Sequence, residues 1–252
     1  MERAERGERI LEAAGELLVA WGYRRVTIDE IARRAAVGKG TVYLHWKTKD
    51  ALLLAVVLRA KSRSLHAQLA RMRADPREIL PSRMMRGYYL DFLAEPVLRA
   101  LYTDDVDVLG RLNDVAKKEL AELMAFNDGI LLRYLAVLRE HGLVRTDIDV
   151  RHQQYVLMST ATGFFMAEAM LADHAPDTPE VRADLFAATI RSAVDMPVEG
   201  FGAQAVGPPG RSGAPRARTV EEALVAARRD VLPLYEQAEE YGAREMRRQL
   251  RG

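Results

Sequence analysis

The sequence contains no cysteine, which excludes disulfides, thiol nucleophiles, zinc fingers and iron-sulfur sites. Long apolar runs are missing too. The longest, Ala51 to Leu58, falls far short of the roughly 20 residues that span a bilayer, so no membrane association is expected. The first residues, MERAERGERI, alternate charges and lack the apolar segment of a secretion signal; a cytoplasmic protein is expected. Proline is absent before Pro76, so nothing ahead of it interrupts a helix. Neither sign of charge dominates, since 37 Lys and Arg face 36 Asp and Glu for a net of +1. Any contact with nucleic acid must therefore come from positive charge gathered locally. Alternating β-branched runs bounded by turn residues are also lacking, which argues against sheets.

Apolar spacings of three and four residues recur throughout the chain ahead of residue 197, and the fold is predicted to be all-α with about nine helices. Pro76, Pro81, Pro96, Pro176 and Pro179 fall at helix starts or junctions. The segment Pro197 to Pro215 holds four Pro and five Gly in 19 residues, a composition that resists regular structure. Beyond it, Val220, Leu224, Ala227, Val231, Leu234, Ala238 and Tyr241 form an amphipathic stripe that requires a partner. Four segments result: an amino-terminal unit over residues 1–50, a helical body over 51–196, a Gly/Pro-rich linker over 197–218 and a carboxy-terminal helix over 219–252. No internal repeat is present.

The first segment carries the most specific pattern. Ile10, Leu11, Ala14, Leu17, Leu18 and Trp21 share one side of a helix from Glu8, which Gly22 ends in a left-handed turn. Thr27-Ile28-Asp29-Glu30 reads as a capping box, with the threonine hydroxyl and the glutamate each satisfying a free amide. A short helix follows, and Ala32, Ala35 and Ala36 lead into Val37-Gly38, where glycine permits a sharp turn. Small residues before such a turn let two short helices meet steeply, the geometry of a helix-turn-helix. The helix from Lys39 is then the recognition helix. Val42 and Trp46 face inward, and Lys39, Gly40, Thr41, Tyr43, Leu44 and His45 face outward. Lys39 offers a charged donor and Gly40 a close backbone approach; Thr41 and Leu44 suit base edges or a thymine methyl, and Tyr43 and His45 suit phosphates. Thr27 and Lys49 sit at helix amino termini, which favour anions.

These residues closely resemble the DNA-binding domain of TetR-family transcriptional regulators over about the first 55 positions. The agreement includes Thr27, Ile31 and Ala32, the run Gly38-Lys39-Gly40-Thr41-Val42-Tyr43, and the aromatic-Lys-x-Lys run from Trp46 to Lys49. Gly38 stands where the family often has serine, and Trp46 where phenylalanine is commoner. The resemblance implies phosphate contacts at Thr27, Tyr43, His45 and Lys49 and base or mixed contacts at Lys39, Gly40 and Thr41. It also implies a small-molecule pocket and a dimer interface in the body.

Met84, Tyr88, Phe92, Tyr102, Phe126, Tyr134 and Phe165 are the pocket candidates, because methionine and aromatic side chains adapt to apolar ligands. Ser159, Gly163 and Ala167 form one small-residue stripe, and Val181, Leu185, Ala188 and Ser192 another. Two such helices from each subunit make a four-helix, two-fold interface. Asp104, Asp105 and Asp107 suit the amino terminus of a helix better than a metal. The five histidines show no metal-binding spacing, no serine sits in a Gly-x-Ser-x-Gly elbow, and neither cofactor nor catalytic residue is expected. The predicted protein is a homodimeric repressor that binds a near-palindromic double-stranded DNA operator and responds to a small apolar or aromatic molecule. A helical enzyme or carrier with a hydrophobic pocket and a constitutive DNA-binding protein are the alternatives.

Overall fold

The computed structural model describes residues 2–103, 105–176, 178–196 and 219–250. It is all-α. Its helices are α1 (Glu2–Arg25), α2 (Ile28–Arg34), α3 (Lys39–His45), α4 (Lys49–Ala74), α5 (Pro81–Ala94), α6 (Pro96–Tyr102), α7 (Val106–Leu109), α8 (Leu112–Glu119), α9 (Ala121–Glu140), α10 (Val150–Met170), α11 (Pro179–Ala193) and α12 (Val220–Gln249). Among the described residues the isolated β-type contact is an antiparallel bridge between Val144 and Asp195. The helices outnumber the expectation because the stretch between Pro96 and Glu119 breaks at Thr103 and Gly110 into three short ones. No helix among the described residues is long and apolar enough to cross a membrane. The Gly/Pro-rich segment expected at 197–218 lies outside the described residues.

Local chemistry starts these helices where it should. Pro81, Pro96 and Pro179 are the first residues of α5, α6 and α11, positions where the missing N–H has no helical partner to lose. Thr178 accepts from the Val181 amide (3.3 Å). Asp105 accepts from the amides of Asp107 and Val108, both at 3.0 Å, and so caps α7; Asp104 lies outside the described residues. Thr219 and Glu222 form a reciprocal capping box ahead of α12, at 3.2 and 2.9 Å.

Two compact units result. The first comprises Met1–Leu65, Asp91–Phe126 and Glu239–Gly252. Its apolar core joins Ile10 and Leu18 of α1, Ile31 of α2, Val42 of α3 and Leu52 and Val56 of α4 to Val97, Leu98, Leu109, Leu112 and Leu120. Burial of such side chains contributes about 1.5 to 3 kcal/mol each. The last turns of α12 belong here: Tyr241 stacks on Phe126 with centroids 4.4 Å apart, and Arg248 donates to the Glu119 carbonyl at 2.9 Å.

The second unit comprises His66–Leu90 and Asn127–Ala238. Tyr89, Phe164, Phe165 and Phe186 form an aromatic cluster between α5, α10 and α11. Beside it Tyr89 donates to Glu168, which pairs with Arg182 at 2.5 Å. Tyr134 is fully buried and donates to the Ile79 carbonyl at 2.7 Å. Asp195 accepts from the Ser82 amide (3.3 Å) and hydroxyl (2.5 Å), fixing the first turn of α5.

Candidate nucleic-acid interface

The frame of the interface is set by two tight backbone features. Gly22 has φ 72° and ψ 161° and interrupts α1 just before its end. It takes the positive φ expected of it, and α7 also presses on it: a Cβ there would lie 2.2 Å from the Asp107 carbonyl oxygen. Trp21, expected to face inward, is 39% exposed, while Tyr23 turns into the core beside Gly110. The turn between α2 and α3 differs from expectation. Its left-handed residue is Ala36 (φ 53°), and Gly38 is extended at φ −71°. The Val37 amide bonds the Ala32 carbonyl (3.0 Å) and the Ala36 amide the Arg33 carbonyl (3.2 Å). This is the double closure of a Schellman motif, which fixes Ala36 as the left-handed position.

Thr27 caps α2 by accepting from the Glu30 amide at 3.2 Å. The other half of the expected capping box is replaced, because the Glu30 carboxylate pairs with Arg33 instead. On α3, Lys39, Gly40, Tyr43 and Leu44 are exposed as expected and Thr41 is half-buried. A Cβ on Gly40 would meet nothing within 4 Å, so its backbone is open to an approaching surface.

His45 corrects the sequence reading: it is buried at 8% exposure and stacks on Trp46 with centroids 5.3 Å apart. Its ring lies under Gly7 of α1, where a Cβ would be 3.5 Å from it. Helical geometry explains the error, since position 45 is i+3 from Val42 and shares its inward face as Trp46 does at i+4.

The cations are disposed unequally. Lys39 pairs with Asp29 at 2.9 Å on the surface, and that hydrogen bond raises its pKa; an exposed pair of this kind is readily exchanged for a phosphate. Lys49 is half-buried and turned inward. Its ammonium donates to the carbonyls of Tyr23 (2.9 Å) and Val26 (3.1 Å) and lies 4.0 Å from the centre of the Tyr23 ring. Loss of solvent lowers its pKa. Two of its donors thus hold the end of α1 against the start of α4. Next to it, Tyr23 donates to Asp50 (2.6 Å) and Arg111 binds both, at 2.8 and 2.5 Å. Sequence reasoning passed over Lys47, which is exposed between α3 and α4. The signal was present in the aromatic-Lys-x-Lys run, where Lys47 is the first lysine.

The pocket candidates divide between the units. Phe92, Tyr102 and Phe126 are in the first, Met84, Tyr88, Tyr134 and Phe165 in the second. Met84, Phe92, Tyr134 and Phe165 are buried in packing, and Tyr88 contacts Phe165 with centroids 5.9 Å apart. A groove of about 410 Å³ in the first unit is lined by α1, α4 and α6, including Gly15, Val19, Val56, Arg59, Arg63 and Val97, and by none of the seven. On α10 and α11, Ser159, Gly163, Val181, Leu185, Ala188 and Ser192 are exposed and Ala167 is half-buried. Tyr155, Met158, Met166, Met170 and Leu171 are exposed on or just beyond α10.

Residues 10–56 match the amino-terminal domain of the bacterial regulatory proteins of the tetR family. The chain is 28% identical over 186 residues to the HTH-type transcriptional regulator YvkB of Bacillus subtilis, covering 69% of this chain and 88% of that one. Among solved structures it resembles the transcriptional regulator FadR of Bacillus subtilis in complex with stearoyl-CoA, at 16% identity and TM-score 0.58, over 74% of this chain and 98% of that one. It also resembles NalD, the secondary repressor of the MexAB-OprM multidrug efflux pump in Pseudomonas aeruginosa, at 18% identity and TM-score 0.56, over 76% and 98% respectively.

Proposed function

The chain is a TetR-family protein by its amino-terminal domain, and from that premise we propose a homodimeric repressor that binds a near-palindromic operator and is released by a small apolar or aromatic ligand. The observation that carries the reading is the outward face of α3, where Lys39, Gly40, Tyr43 and Leu44 are open together and Leu44 is 74% exposed. An apolar side chain left that open on a seven-residue helix gains from contact with a thymine methyl. Beside it Thr41 reads a base edge, and Tyr43, Lys47 and the amino terminus of α2 at Thr27 bind phosphates. Lys49 and His45 act by position. The lysine fixes the entry to α4, and the histidine supports the inner side of α3.

The exposed apolar face of α10 and α11 supports a two-fold dimer, which places two copies of α3 roughly 34 Å apart in successive major grooves. The aromatic and methionine content of the second unit supports an apolar ligand, as does the stearoyl-CoA complex of the FadR neighbour. That ligand releases DNA only to the extent that it prefers the conformation whose α3 spacing misfits the operator. Such a protein works in the cytoplasm, beside the chromosome.

The test is selection of bound sequences from a random duplex library at two salt concentrations, followed by Thr41→Ala on the recovered site. A near-palindrome is expected, with the variant losing discrimination at one base pair per half-site by about 1 to 3 kcal/mol. Recovery of no sequence preference, with binding that only tracks salt, would overturn the operator reading.

A further inference from the structure

We propose that the turn of α12 from Pro233 to Tyr235 is a built-in gate on the apolar interior of the second unit, closed in this conformation by the side chain of Tyr235. The proposal rests on the ligand-responsive reading above and adds to it an element that controls entry. Three quarters of this chain cover nearly all of the FadR and NalD chains, so about a quarter is additional to those neighbours. Residues 197–252, 56 of 252, are of that size.

Within the second unit this helix is an integral wall. Ala223, Leu224, Ala227 and Val231 are buried along one stripe, and Tyr235 is 7% exposed. The Tyr235 ring stands edge-on to Tyr134 at 5.7 Å between centroids, and its hydroxyl donates to the Met84 sulfur at 2.8 Å. Tyr134 and Met84 are two of the residues expected to meet a ligand. A thioether is a weak acceptor, so the buried hydroxyl has given up water for a poor partner. A ligand bringing a better acceptor or more apolar surface displaces it at little cost.

The fastenings around the tyrosine are equally exchangeable. Arg73–Glu236 (2.8 Å) and Arg77–Glu221 (3.3 Å) are surface pairs with both partners about half exposed, a class that holds weakly. Pro233 lies inside α12, two residues before Tyr235. It cannot donate to the carbonyl four residues earlier, and a helix bends most readily at such a point. A bend at Pro233 lifts the turn that carries Tyr235 off Met84 while the stripe from Ala223 to Val231 stays docked.

Because the chain has no cysteine, a tether can be placed without background labelling. Two variants of the full chain serve, Tyr235→Ala and the pair Arg73→Cys with Glu236→Cys, the latter closed with a short bis-methanethiosulfonate linker. Uptake of the neutral fluorophore N-phenyl-1-naphthylamine is read by titration, and operator binding is followed in parallel. Tyr235→Ala is expected to bind the fluorophore about tenfold more tightly than wild type, the gain when a minor open state becomes the main one. The tethered protein should lose uptake and regain it when dithiothreitol cleaves the linker. Equal uptake with and without the tether overturns the gate, and this arm decides even if Tyr235→Ala does not fold. Absence of sequence-specific DNA binding by wild type would instead overturn the regulator reading, whatever the fluorophore does.

Discussion

Asp195 and His45 are polar side chains that the fold takes out of water, and each reports on its surroundings differently. Burial pushes the Asp195 carboxyl up to about 6, against the opposing hydrogen bonds from Ser82. The folded protein therefore holds this proton up to about pH 6, whereas the unfolded chain releases it near pH 4. Stability from the protonated form is fully present below about pH 4 and is lost as pH rises through 6. Other carboxylates titrate in the same range, so the measurement is a difference: unfolding free energy of wild type minus that of Asp195→Asn, by urea titration at several pH values. That difference should fall by about 3 kcal/mol between pH 4 and 8, and a flat difference would sink the assignment. His45 shows what a short sequence window hides. Its type suits a phosphate contact, and only the three-residue offset from Val42 marks it as an inward residue. Ala36 is a similar case, since its left-handed conformation is dictated by the two hydrogen bonds that close α2 and by nothing in the alanine itself.

At the scale of elements, the end of α1 is where the DNA-binding helices meet α4, α7 and α8 within the first unit. Gly22 allows the crossing with α7, Lys49 ties together two carbonyls, and Tyr23, Asp50 and Arg111 form a hydrogen-bonded cluster. Gly22→Ala must adopt a backbone region that is essentially glycine's alone, and its new Cβ overlaps the Asp107 carbonyl. A loss of about 3 kcal/mol or more is expected in chemical denaturation. Gly40→Ala is the matched comparison: its Cβ meets no neighbour, so the fold should keep its stability while operator affinity falls. If both variants unfold alike, the contact between α1 and α7 is not what requires glycine. The glycine and its turn were legible in the sequence. The carbonyl pressing on it was not, because α7 follows some 85 residues later and only packing brings it there.

For the molecule as a whole, the apolar face on α10 and α11 makes a prediction about assembly. Leu185 is 51% exposed and Val181 47%, and in a two-fold interface each faces the same surface on its partner. Leu185→Glu brings like charges together while removing apolar contact. It should weaken the dimer by about a hundredfold, read by light scattering over a dilution series, with operator affinity lost in parallel. Unchanged mass across the series would move the dimer interface elsewhere. The sequence by itself determined the all-α class, the helix starts at proline and threonine, the Thr27 cap and the helix-turn-helix, because these follow from spacings of a few residues and from local backbone chemistry. Tertiary structure decided which of the local side chains reach solvent: it buried His45, turned Lys49 inward and left Lys47 exposed. It also divided the pocket candidates between two units and laid α12 over Met84 and Tyr134. Those outcomes depend on contacts between residues 26 to 151 positions apart, which no periodicity in a short window encodes.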